Sequence, residues 1–360
     1  MLRIIQNRNA QSAKGYYGSK AEAAYYAGGQ QEMIGAWGGK AAERLGLIGD
    51  VDQRSFERLC DNRHPETGGR LTARTRQDRT PGYDFSFHPC KSASLLYALT
   101  GDPAILSAFR AAVAETMADM ERQIQTRVRT RGRSQDRTVG NMAWAEFIHF
   151  TARPVGGMVD PHLHAHCFVF NAVFDGVEGR WKAGQFRELK AAAPRFQKDF
   201  HARFAWKLME LGYPIARRGD TWEVAGFDRA TIEAFSQRTR QVERYAAARG
   251  ITDPKARDQL GARTRERKRS DTGMDELGRQ WDARLTPQGR DGLAVATAWR
   301  SFRSEDAPSP APSFHKMQSG LAAWQRDRLD FIRRNHRDGD GSPPGPVSAP
   351  ALPLQSGHGR

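Results

Sequence analysis

Apolar and polar positions alternate strictly through the middle of the chain. In PHLHAHCFVFN, residues 161–171, His162, His164, His166, Phe168 and Phe170 fall on one face, and Leu163, Ala165, Cys167 and Val169 fall on the other. A period of two belongs to a β-strand. The preceding stretch MAWAEFIHF, residues 142–150, sets Ala143, Ala145, Phe147 and His149 against Met142, Trp144, Glu146, Ile148 and Phe150. A Gly/Pro loop joins these two strands. Upstream, Leu2 to Ile5 predicts a short first strand. PGYDFSF predicts another, with Tyr83, Phe85 and Phe87 on one side and Asp84, Ser86 and His88 on the other.

Helical periodicity fills the intervals. Residues 39–59 read as two short helices, the second opening after Asp50. Asp102 caps a helix whose first turn carries Pro103. Its stripe of Ile105, Leu106, Phe109, Val113, Met117, Met120 and Ile124 predicts a helix laid over one face of a sheet. Phe196, Phe200, Phe204, Leu208 and Leu211 mark a further helix ending at Gly212. A strand pair is expected around TWEVAGF, and a single helix from about Arg229 to Arg249. Residues 301–360 are Pro/Gly/Ser-rich and are expected to be mostly disordered, with one short amphipathic helix carrying Met317, Leu321, Trp324, Leu329 and Ile332.

Charge narrows the choice of partner. The chain of 360 residues carries a net charge of +15 and an apolar fraction of 39%. Such a balance favours a polyanion, most commonly a nucleic acid. The segment RTRGRSQDRTVG, residues 129–140, suits a hairpin loop touching phosphates, and the basic run at residues 262–270 suits phosphate contact as well. Cys60, Cys90 and Cys167 match neither a metal knuckle nor a disulfide framework, which fits a reducing cytoplasm. The apolar run at the start is too short for a signal peptide, and none elsewhere is long enough to span a bilayer. A cytoplasmic protein without membrane insertion is expected.

The histidines carry the candidate chemistry. Residues two apart on a strand face are about 6.6 Å apart, so two imidazoles can close on one ion. His162 and His166 stand about 13 Å apart at the same rise, so the three on that strand cannot share a metal. His149, on the preceding strand, is the natural third donor. Three neutral imidazoles with open positions would hold a divalent cation able to polarise an oxygen, as suits a hydrolase, an oxygenase or a nuclease. Near the start, Tyr16, Tyr17, Tyr25 and Tyr26 supply half of the chain's eight tyrosines. Tyrosine pairs are ordinary packing residues, but the polar neighbours here do not look like core.

Taken in order, several motifs resemble one family. They are YY-x7-YY at residues 16–26, W-x-GKAAERLGLIGDV from Trp37, RTPGYDFSFHPCKSASLL from Arg79, GNMAWAEFIHFTAR followed by DPHLHAH, and FSQRT-x-Q from Phe235. The set resembles the relaxase domain of conjugative plasmids, the MobF (TrwC/TraI-like) class of HUH endonucleases, over roughly residues 1–300, with residues 301–360 as a tail. The resemblance implies an α+β fold: a central antiparallel sheet of HUH (palm-like) type flanked by helices, with a flexible C-terminal helical region over single-stranded DNA.

By the same resemblance His149, His164 and His166 are the metal ligands. Tyr16 makes the initial nick, Tyr17, Tyr25 and Tyr26 complete the paired catalytic tyrosines, and Asp84 engages the nucleophile. The implied cofactor is a divalent ion, Mg2+ or Mn2+ first, Zn2+ or Ni2+ otherwise. The implied partners are single-stranded and hairpin DNA at a transfer origin, relaxosome accessory proteins and a type IV secretion coupling protein. Three features depart from the pattern. The loop Pro154 to Asp160 is a few residues longer, His162 replaces a glutamine-like residue, and PCKSAS replaces a more apolar sequence. A non-catalytic DNA-binding remnant, a rolling-circle replication initiator and a metallohydrolase unrelated to DNA are the alternative readings. The tyrosines precede the histidines, which argues against an initiator.

Overall fold

The computed structural model describes residues 1–18, 35–73, 78–264, 266 and 272–303. Its centre is a five-stranded antiparallel sheet in the order β1 (Leu2–Asn7), β3 (Gly82–Phe87), β7 (Pro161–Phe170), β6 (Trp144–Thr151), β2 (Ala36–Gly38). The histidine strand therefore lies in the middle. Short β2, a strand the alternation pattern did not announce, closes one edge against Trp144–Glu146.

The period-two pattern sorts two cores onto the two faces. Phe85, Phe87, Ile148, Leu163, Ala165, Cys167 and Val169 point into the larger core. Two long helices cover it: α5 (Pro103–Gln123), capped by Asp102, and α7 (Ala193–Glu210). Phe109 of α5 meets Phe200 and Phe204 of α7 with ring centroids 5.9 and 5.5 Å apart. Each fully buried phenylalanine contributes roughly 2–3 kcal/mol of transfer free energy. The opposite face carries Ala145, Phe147, Phe168 and Phe170, packed on Phe56 of α3 (Gln53–Cys60) and on Tyr17. The histidines of β6 and β7 continue this second face.

Two hairpin tips project from this frame. β4 (Gln125–Thr130) and β5 (Arg133–Thr138) form a ribbon whose two-residue turn places Arg131 at φ 49° and Gly132 at φ 79°. Both values suit a tight turn matched to strand twist. The loop between β6 and β7 folds on itself, with Val155 and Met158 exchanging both backbone hydrogen bonds around Gly156 and Gly157. On either side of this loop the strands stay in register, with His149 directly opposite His164.

The C-terminal helices differ from the expected single helix over Arg229–Arg249. The chain forms α8 (Arg229–Ala234) and then α9 (Gln237–Ala247). Phe235 turns fully into the core at the break, and the Gln237 backbone N–H donates to Asp160 at 2.8 Å. Asp160, just before β7, also accepts from Gln237 Nε2 at 2.9 Å and from Arg284 at 2.7 Å. That carboxylate ties α9 and the end of α11 (Met274–Ala283) to the histidine strand. Among the described residues no helix is long and apolar enough to cross a membrane. The basic run at 262–270 falls largely outside the described residues, as do the helix expected at 317–332 and the rest of the tail.

Candidate metal centre and tyrosine turn

Strand register assembles the histidines. β6 and β7 pair with Phe147 opposite His166 and His149 opposite His164, and a bulge lies between His149 and Thr151. One ring nitrogen each of His149, His164 and His166 therefore fall within 4.8 Å of one another. The ring of His149 lies 4.9 Å from those of both His164 and His166.

Hydrogen bonds orient two of these rings. His164 Nδ1 lies 2.8 Å from the carbonyl oxygen of His162, an acceptor only, so Nδ1 carries the hydrogen. His166 Nδ1 lies 2.9 Å from both oxygens of Asp84 and donates to that carboxylate. In each case Nε2 is the nitrogen left with a lone pair for an ion. A carboxylate behind a ligating imidazole fixes its tautomer and raises its basicity. The donor set and the carboxylate behind it fit a divalent cation. Sequence reasoning placed Asp84 on one face of its strand with Ser86 and His88 and assigned it to the nucleophile; its bond to His166 depends in addition on the β3–β7 register, which alternation alone does not supply.

A second group of imidazoles stands beside the first. His88 comes directly after the last residue of β3, and its Nδ1 lies 3.0 Å from Nε2 of His162. His88, His162 and His164 also have one nitrogen each within 4.8 Å of the others. Burial pushes His88 and His162 well below the ordinary imidazole range, and the neighbouring His164 adds to it. Burial likewise lowers Lys91 to about 8; its ammonium donates to the Pro161 carbonyl at 2.9 Å.

The first tyrosine pair lies on a π-helical turn, Lys14–Gly18, after β1 and the short helix α1 (Ala10–Ala13). Tyr17 is buried at 3% exposure, its ring 5.3 Å from Phe147, 5.1 Å from Phe168 and 6.2 Å from His166. The turn is thus anchored at the edge of the histidine cluster. The side chain of Tyr16, and Tyr25 and Tyr26 altogether, lie outside the described residues.

The family profile for TrwC relaxase matches residues 10–287. The chain belongs to the TrwC relaxase family. Its kinship extends to the multifunctional conjugation protein TraI of Escherichia coli (strain K12), 32% identical over 254 residues, which are 67% of this chain and 14% of that protein. A second Escherichia coli TraI is 32% identical over 326 residues, 86% of this chain and 18% of its own length. The chain spans less than a fifth of the length of these relatives. Among solved structures, the conjugative relaxase TrwC in complex with OriT DNA, metal-bound, matches with a TM-score of 0.68 and 30% identity, covering 79% of this chain and 97% of the other. A copper-bound TrwC complex gives 0.70 and 30%, covering 80% and 98%. TrwC bound to a 27-mer comprising the recognition hairpin and the cleavage site gives 0.68 and 29%, covering 80% and 99%. The mixed fold around a central antiparallel sheet is the one this family member shares with TrwC.

Proposed function

We propose that this chain is a conjugative relaxase: it nicks one strand of a plasmid transfer origin through Tyr16, holds the 5′ end as a phosphotyrosine and later rejoins it. The observation that carries this is the three-imidazole cluster beside the turn that bears the first tyrosine pair, with the Tyr17 ring 6.2 Å from His166. The relaxase domain is assigned to residues 1–300 and 301–360 lie outside it, although the helix Pro287–Arg303 runs three residues past that boundary.

The roles derive from the residue types. His149, His164 and His166 would hold a divalent ion, which when bound would supply positive charge to the scissile phosphate. Three imidazoles suit Zn2+, Ni2+ or Cu2+ better than Mg2+, which prefers oxygen donors, so the donor set moves the ion away from Mg2+. Asp84 holds the His166 ring and keeps lone pairs for the phenolic hydrogen of Tyr16. The Tyr16 oxygen attacks phosphorus in line, the P–O3′ bond breaks, and the proton lost by the phenol ends on the free 3′-hydroxyl. A tyrosyl phosphodiester forms for the one broken, so reversal needs no ATP. Tyr17 anchors the turn, while Tyr25 and Tyr26 offer a second phenol for closing the strand after transfer.

DNA is held along the β4–β5 ribbon. Arg127, Arg129, Arg131 and Arg133 stand exposed on the β4–β5 ribbon, a reach suited to hairpin phosphates. Relaxosome accessory proteins and a secretion coupling protein complete this reading, with the reaction in the cytoplasm. The test is a labelled single strand spanning the transfer origin of the replicon that encodes the chain. A covalent adduct that survives denaturation and vanishes with a chelator is expected. Tight binding without any adduct would favour a DNA-binding remnant.

A further inference from the structure

His88 and His162 belong to neither the tyrosine turn nor the first triad, yet they approach each other with Nδ1 and Nε2 at 3.0 Å. The edge of a tetrahedron of nitrogens with metal bonds of about 2.0–2.1 Å is roughly 3.3 Å. The pair therefore already stands close to the spacing of two ligands on one ion. His164 supplies the third nitrogen, within 4.8 Å of the other two. The rings of His88, His162 and His164 lie within 30° of parallel, at centroid separations of 4.5–5.3 Å. Three backbone positions, at the end of β3 and along β7, hold them there.

We propose that His88, His162 and His164 form a second cation position next to the first, sharing His164 and taking an imidazole-binding transition ion such as Zn2+ or Ni2+. Because the His164 Nδ1 hydrogen is engaged with the His162 carbonyl, only Nε2 of that ring can ligate, and it serves one ion at a time. The two positions are therefore alternatives, and an ion can move between them by exchanging two of its three protein ligands. Lys91 sits on the His162 side and repels a cation there, which makes the second position the weaker one. All donors are neutral imidazoles, so filling the position needs one ring to move its N–H to the outer nitrogen and releases no net proton. Metal binding at this position does not depend on nicking activity.

The experiment is Zn2+ binding by equilibrium dialysis with elemental analysis, on the full chain without DNA. His149→Ala/His166→Ala removes two ligands of the first position. That variant is expected to retain one Zn2+ per chain, more weakly than wild type, and adding His162→Gln should abolish it. Loss of all zinc in the double variant, or equal zinc in the double and triple variants, overturns the proposal. Should the double variant fail to fold, wild-type crystals soaked in ZnCl2 decide. Anomalous peaks at both the His149/His166 and the His88/His162 sides support two alternative positions, and a peak at the triad alone contradicts them.

Discussion

Removing the Asp84 carboxylate tests how the site is tuned. Both Asp84 oxygens lie 2.9 Å from His166 Nδ1, and the His166 and Asp84 side chains are only 14% and 16% exposed, so solvent screens the contact little. A hydrogen bond to a charged group contributes about 1.5–3 kcal/mol and a neutral one about 0.5–1.5. Asp84→Asn keeps an acceptor of nearly the same shape, so the expected loss is about 1–1.5 kcal/mol of metal affinity, roughly five- to tenfold. Asp84→Ala also releases the ring and its tautomer, and the loss should reach about 10–100-fold. Calorimetric titration of Zn2+ or Ni2+ at constant pH measures both, with circular dichroism confirming the fold. Wild-type affinity in both variants, or a larger loss for Asn than for Ala, would refute the claim that Asp84 acts through His166.

Perturbations elsewhere in the molecule have equally definite outcomes. Asp160→Ala removes a carboxylate, 3% exposed, that accepts from three donors, and leaves Arg284 without its charge partner there; a cost of about 3 kcal/mol or more is expected. Hydrogen exchange should then quicken across α9 and α11, and unchanged protection would contradict the tether. The Arg129→Ala/Arg131→Ala variant should lower the slope of log affinity for hairpin DNA against log salt by about 1.5–2, and an unaltered slope would remove the ribbon from the interface. Burial lowers His201 from 6.5 to about 3, helped by the Met1 amine beside it. The unfolded imidazole gains its proton below about 6.5 and the folded one does not, so this stability is complete above that pH and is lost as the pH falls toward 3. His201→Gln should flatten the decline between pH 6.5 and 4.5 by about 1 kcal/mol per pH unit in urea unfolding. An unchanged decline would contradict it.

The sequence was most informative where one physical rule governs many positions. Alternation along β6 and β7 assigned each side chain to its face, so His149 stood out as the third donor for the histidines of β7. The choice of His164 and His166 came from the family resemblance, and the place of His164 opposite His149 from the register. The stripe of α5 was as clear, because a helix lying on a sheet must keep one apolar side. Contacts set by cross-strand register were not legible: the bond from Asp84 to His166 and the approach of His88 to His162 both depend on how β3 slides against β7. The break at Phe235 was hidden because the helical pattern continues through it, and only the tertiary pull of Asp160 and the core ends the helix. For Tyr17, the polar neighbours suggested an exposed residue, yet its ring fills the small core under α3. Local composition cannot reveal what a distant strand offers to a side chain.

The central claim is that Tyr16 forms the covalent bond to DNA beside the triad. Cleavage after Lys14 and Lys20 places Tyr16 and Tyr17 in the peptide GYYGSK, apart from the peptide that carries Tyr25 and Tyr26. Mass spectrometry of the trypsin- and nuclease-digested adduct therefore separates the two pairs, and fragmentation separates Tyr16 from its neighbour. A nucleotide 5′-phosphate on Tyr16, absent after Tyr16→Phe and after His164→Ala, is the predicted result. The same modification on Tyr17, Tyr25 or Tyr26 in the first-round nick, or an adduct undiminished in Tyr16→Phe, would contradict it.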